Sequence, residues 1–166
     1  MLSLLRRQSL LGSSWSASVV GSNDARGWVQ CLQRREIAVA DPGAADAEVS
    51  QVTTDGTGQR RISFGGGWYA SPSWSPDGQW IAFTRRGADG RRIGVVRPDG
   101  TGEKLLTAGS GDEGPGWAPS SREILFQRTA ADGRTGLYRI ALDGGEPRAM
   151  AIPQDGSDPD WSGVMD

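Results

Sequence analysis

From residue 28 onward the chain is a series of short apolar runs separated by clusters of Gly, Pro, Asp and Ser. Ile37-Ala38-Val39, Ile81-Ala82-Phe83 and Ile124-Leu125-Phe126 recur at matching places, as do runs beginning at Val49, Ile93 and Leu137. Runs of this length, rich in β-branched and aromatic residues and bounded by turn formers, predict strands. The turn formers keep the same step: Asp-Gly pairs at Asp55, Asp99 and Asp143 follow one another at 44 and 44 residues. Trp74, Trp117 and Trp161, each two positions after a proline, follow at 43 and 44. Two independent markers share one period, so the chain repeats one unit.

The unit is clearest in its second copy. Ser71-Pro72-Ser73-Trp74 reads as a first strand, and Ser75-Pro76-Asp77-Gly78 as a tight turn in which Pro76 fixes φ and Gly78 accepts a positive one. A second strand runs from Gln79, a third follows Ala88-Asp89-Gly90, and a fourth, from Glu103, follows the turn at Pro98-Asp99-Gly100. Four short antiparallel strands in about 44 residues match a propeller blade. The expected fold is all-β: a partial β-propeller of about three four-stranded antiparallel blades, near 28–64, 71–107 and 114–150, with one strand of a fourth at 158–162. The first unit is degenerate, because Trp28 reaches Ile37 over nine residues where Trp74 reaches Ile81 over seven. Residues 1–27 match nothing in the repeat and are expected to be irregular or poorly packed.

Composition narrows the chemistry. Among 166 residues there is no histidine and one cysteine, Cys31, so no imidazole can serve a nucleophile and no thiolate cluster can hold a metal. Neither a catalytic site, a cofactor site nor a metal site is expected. A net charge of -2 and a pI near 5.2 leave no electrostatic footprint for nucleic acid. No apolar run is long enough to span a membrane as a helix. Arg6 and Arg7 interrupt the leucine-rich start, so no convincing export signal is read there.

The runs from Ser71 to Arg85 and from Ile93 to Thr107 resemble the TolB-type β-propeller repeat, within the WD40-like family that also supplies propellers to some serine peptidases. The stretches from Arg60 to Trp74 and from Gly114 to Pro119 are similar to the carboxy-terminal propeller of that family. The resemblance implies a noncatalytic interaction scaffold of the periplasmic Tol-Pal envelope system, with a Pal-like lipoprotein as partner near one mouth of the channel. Six blades would close such a ring, so the chain is expected to be part of a longer reading frame, or to complete itself by self-association through open blade faces. The alternative is the propeller portion of a prolyl-oligopeptidase-like enzyme, whose hydrolase domain would need a G-x-S-x-G serine and a histidine; this chain has neither.

The loops before the innermost strands help form that mouth, and here they precede Pro72, Pro115 and Pro159. They nominate Trp68, Tyr69, Asp112, Glu113, Asp155 and Asp158 as partner-contact residues, the carboxylates as charges and the rings as rigid area. The bland alternative is that the Gly and Asp residues make turns while the two rings pack over the rim. The pairs Arg60-Arg61, Arg85-Arg86 and Arg91-Arg92 fall near strand ends, where solubility and edge protection account for them, with a phosphate or acidic-protein site as the second reading.

Overall fold

A computed structural model describes residues 29–32, 36–40, 48–53 and 58–151. The amino-terminal segment 1–27 and the strand expected at 158–162 lie outside the described residues. Among the described residues twelve strands form three four-stranded antiparallel sheets. In the first, β1 (Val29–Leu32), β2 (Glu36–Ala40), β3 (Val49–Thr53) and β4 (Arg60–Arg61) lie in chain order. The second takes β5 (Trp68–Trp74), β6 (Ile81–Gly87), β7 (Gly90–Val96) and β8 (Lys104–Leu105), and the third β9 (Asp112–Trp117), β10 (Glu123–Thr129), β11 (Thr135–Ala141) and β12 (Arg148–Ala149). Each is a meander of hairpins, the topology of a propeller blade. No helix among the described residues is long and apolar enough to cross a membrane.

Two local corrections matter for the site. The first strand of each later sheet begins before the proline, at Trp68 and Asp112, so residues expected in loops are strand residues. The reason is a bulge. A proline has no N–H for the ladder, and the register shifts between Ala70 and Ser73, around Pro72, and between Leu125 and Gln127, opposite Pro115. Ser71 and Gly114, just before those prolines, take positive φ, 50° and 66°. Pairing resumes on the far side, so the strand extends through the proline.

The turn after β5 follows from its sequence. The Gly78 N–H donates to the Ser75 carbonyl at 2.9 Å, and the Ser75 hydroxyl donates to Asp77 at 2.6 Å while accepting from the Trp80 N–H at 2.9 Å. In the third sheet Ser121 holds the place of Gly78 with φ 58°, and its hydroxyl accepts the Asp77 N–H of the preceding turn at 3.0 Å.

Alternation along the strands gives each sheet two faces, and stacking buries the facing sides. Tyr69, Trp74, Ile81, Phe83 and Val96 of the second sheet pack with Val49 and Ile62. Its other face, with Ala82, Ile93 and Val95, packs on Trp117, Ile124, Phe126 and Ile140 of the third. Phe83 lies opposite Gly94 in the ladder and its ring fills the space a side chain there would need. The remaining face of the third sheet is partly polar: Glu123 faces Arg139 at 3.4 Å and Glu113 accepts from Gln127 at 2.8 Å.

Candidate interaction site

The end of the arc where β5 and β9 begin and where β6 turns into β7 gathers most of the residues nominated from sequence. The chain reaches β5 through Gly65, Gly66 and Gly67, and Glu103 holds this crossover in place. One Glu103 oxygen accepts the Phe64 N–H at 2.7 Å, and the other accepts the Tyr69 hydroxyl in a short hydrogen bond. The same hydroxyl accepts the Gly65 N–H at 3.0 Å, and Arg85 Nε donates to the Gly66 carbonyl at 2.8 Å. Gly67 tolerates its φ of 103° only as glycine, and a Cβ there would also stand 2.8 Å from the Arg86 carbonyl.

Tyr69 was nominated as an exposed contact, and the structure corrects this. Its side chain is fully buried, its ring lies 5.0 Å from Phe83, and its hydroxyl is engaged at the crossover. Burial, then the Glu103 hydrogen bond and charge, push its pKa well above the ordinary tyrosine value. Trp68, one residue earlier on the opposite face of β5, is half-buried and sits beside Arg86 in the ladder. The pleat separates two neighbours that sequence alone treated alike.

Asp112 is also fully buried, so it offers no charge to a partner. Arg128 grips it with a two-pronged pair, Nε to Oδ1 at 2.6 Å and Nη2 to Oδ2 at 2.9 Å. The guanidinium also lies 4.8 Å from the Tyr138 ring centroid. The Asp112 hydrogen bond, opposed by burial, holds the Arg128 pKa above its ordinary value. Glu113 is half-buried and its carboxylate is divided between Arg91 Nη1 at 2.6 Å and Gln127 at 2.8 Å. Asp155 and Asp158 lie outside the described residues. Among the described residues no group of acidic, Cys or His side chains is arranged to hold a metal ion.

The sequence marks the arginine pairs of this end, with an acidic-protein site as their second reading, but not their opposition across the hairpin. Arg85 and Arg92 are directly opposite in the β6–β7 ladder, and so are Arg86 and Arg91. The signal was present as two Arg-Arg pairs placed symmetrically about Gly87 and Gly90, a pattern that brings like charges together once the hairpin closes.

Three stacked antiparallel meanders, joined by a tryptophan seam and presenting an arginine-rich rim, define a protein of the β-propeller class. The chain belongs to the TolB beta propeller domain family, whose model matches residues 40–165. It is 41% identical over 106 residues to the Tol-Pal system protein TolB of Gluconobacter oxydans (strain 621H), a match covering 60% of this chain and 23% of that one. To the Tol-Pal system protein TolB of Wolbachia sp. subsp. Drosophila simulans (strain wRi) it is 48% identical over 103 residues, 62% of this chain and 24% of that one. The chain thus spans about a quarter of the length of these curated relatives. Among solved structures, TolB from Acinetobacter baumannii aligns with a TM-score of 0.66 at 19% identity, covering 77% of this chain and 32% of that one. The acylaminoacyl peptidase of Pyrococcus horikoshii aligns with a TM-score of 0.55 at 15% identity, covering 75% and 25%. At such identities the structural matches show the fold alone.

Proposed function

We propose that this chain is a noncatalytic interaction scaffold, a TolB-like component of the Tol-Pal envelope system that works in the periplasm and meets a Pal-like lipoprotein through the rim at the start of β5 and β9. The observation that carries this reading is the 41–48% identity to Tol-Pal system proteins over about 60% of the chain. Two features support contact there. The Gly65–Gly67 crossover is pinned by Glu103, Tyr69 and Arg85, so the rim is presented with little conformational freedom left to lose on binding. Trp68 stands beside Arg86, the pairing of residue types most enriched among strong interface contacts. Glu113 belongs to the proposed contact as a residue that positions Arg91, and Trp68 as a direct one.

The peptidase reading draws only on shared fold, at 15% identity, and the sequence contains no histidine. The test is capture of the soluble domain of a Pal-like lipoprotein by the full chain immobilised on resin. Retention that weakens on Trp68→Ala is the expected result; no retention at any protein concentration used overturns the proposal.

A further inference from the structure

The β6–β7 hairpin places four arginines in two directly opposed pairs, Arg85 with Arg92 and Arg86 with Arg91. Like charges opposed in a ladder destabilise it. Two of the four are neutralised by ion pairs within the chain and a third makes a backbone hydrogen bond. Arg85 donates to the Gly66 carbonyl, Arg92 pairs with Asp89 at 2.6 Å, and Arg91 pairs with Glu113 at 2.6 Å. Arg86 is exposed and has no ion pair among the described residues. Its neighbour on β5 is Trp68, so Trp68, Arg86 and Arg91 form one row across three strands.

The fold does not require this row. One repeat later, Thr129 and Thr135 occupy the places of Arg86 and Arg91, with their hydroxyls 3.4 Å apart, and Gly111 the place of Trp68. The second sheet thus keeps at this end an exposed cation, Arg86, with no counter-ion among the described residues, where the third sheet places uncharged residues. A carboxylate arriving from outside would pair with it.

We propose that this end of the second sheet is a docking surface for an acidic protein segment, with Arg86 as its carboxylate anchor and Trp68 as the flat apolar contact beside it. It rests on the preceding reading that the rim meets a partner protein, and adds the partner's chemistry. A protein segment fits better than nucleic acid: neutralising several phosphates needs several free cations, and here Arg91 and Arg92 are already paired, in a chain of net charge -2.

The experiment is fluorescence anisotropy of the full chain with three labelled probes: a short peptide of alternating Glu and Phe, its counterpart with Gln for Glu, and a single-stranded DNA oligonucleotide. The Glu peptide should bind in a salt-sensitive way, lose about tenfold or more in affinity with Arg86→Glu, and lose less with Arg86→Lys. Equal binding of the Gln peptide, indifference to Arg86→Glu in a variant whose thermal melt is unchanged, or DNA binding as tight as the Glu peptide's, would overturn it. Capture of the Pal-like lipoprotein tells the two readings apart. Capture that survives Arg86→Glu sinks the acidic-segment inference and keeps the partner; Arg86-dependent peptide binding without capture supports the inference and sinks the partner.

Discussion

The Trp117 indole Nε1 donates to the Ser73 carbonyl, 2.9 Å away and 44 residues earlier in the chain. One repeat length therefore separates a tryptophan from the strand of the preceding blade that it touches. The ring is buried among Ala82, Ile93 and Val95 of the second sheet and Ile124 and Phe126 of its own, so it joins the blades both by packing and by a directed bond. A second bond of the same separation, from the Asp77 N–H to the Ser121 hydroxyl, fixes the turns at the opposite end from the rim.

From this seam follows a graded pair of expectations. Trp117→Phe keeps most of the apolar area and removes the indole bond, while Ser73 keeps its ladder pairing with Ala82; a loss of about 0.5–1.5 kcal/mol is expected. Trp117→Ala removes the ring as well and should cost about 3–5 kcal/mol. Urea unfolding followed by tryptophan fluorescence and far-UV circular dichroism measures both. If the two variants lose equal stability, the ring's packing contributes nothing.

Asp112 and Arg128 give a second expectation. The carboxylate is fully buried and the guanidinium is 25% exposed, so removing one partner strands a charge without full access to water. Asp112→Ala should cost about 3 kcal/mol, near the low end for a buried pair because the arginine can turn partly to solvent. Arg128→Ala should cost at least as much, since it leaves the more deeply buried carboxylate alone. The double variant should be less damaged than the sum of the two, and a double-mutant cycle by denaturant melt reads that coupling directly.

How the sequence reveals its fold and hides its site comes down to range. The Asp-Gly turns and the tryptophans are local signals, and their common period was enough to place three four-stranded meanders, because each turn former acts within a few residues. The site depends on pairings that skip along the chain. Asp112 meets Arg128 only after the β9–β10 turn brings them together, and Tyr69 reaches Glu103 across the whole second sheet. No local pattern marks either, so the sequence offers both as partner contacts, with turn formation and packing over the rim as the alternative. The start of β5 was misplaced for a related reason: Pro72 looks like a strand boundary, and only the bulge at Ser71 lets the ladder continue to Trp68.

Tyr69 makes the protein sensitive to alkali. Its folded pKa lies above its ordinary value of 10.0, mainly through burial and then through the Glu103 bond. The folded state therefore holds the phenolic proton more tightly than the unfolded state does. That contribution is fully present below pH 10 and is lost as pH rises past the unfolded value toward the folded one. Unfolding free energy should fall above about pH 10 with a slope approaching about 1.4 kcal/mol per pH unit from this group. Tyr69→Phe should flatten that limb relative to the unaltered chain, and the difference between the two isolates Tyr69 from other groups titrating there. Tyrosinate absorbance provides the second readout: of two tyrosines in the chain, the one lost in Tyr69→Phe should ionise only as the protein unfolds. Ionisation of Tyr69 near its ordinary value in the folded chain would mean that the hydroxyl is open to water.

Gly94 sets how closely Phe83 can lie on the second sheet. A Cβ on Gly94 would stand 2.4 Å from Phe83 Cε2, and the Lys104 carbonyl 3.0 Å away closes the other side. The Phe83 ring cannot retreat, because Tyr69 packs against it at 5.0 Å and both side chains are fully buried. Gly94→Ala should therefore destabilise by about 1–3 kcal/mol through overpacking, although alanine is otherwise the better strand residue. In the third sheet the corresponding place holds Tyr138, whose ring stacks 5.9 Å from Phe126, so a side chain is tolerated where the neighbouring position has no buried tyrosine to confine the phenylalanine. Phe83→Leu alone should cost stability by leaving a void, whereas Phe83→Leu combined with Gly94→Ala should recover part of the loss, since the added methyl fills space the smaller side chain vacates. Denaturant melts of the two single variants and the double variant decide it. Strict additivity would show that the glycine is there for its backbone and not for the ring above it.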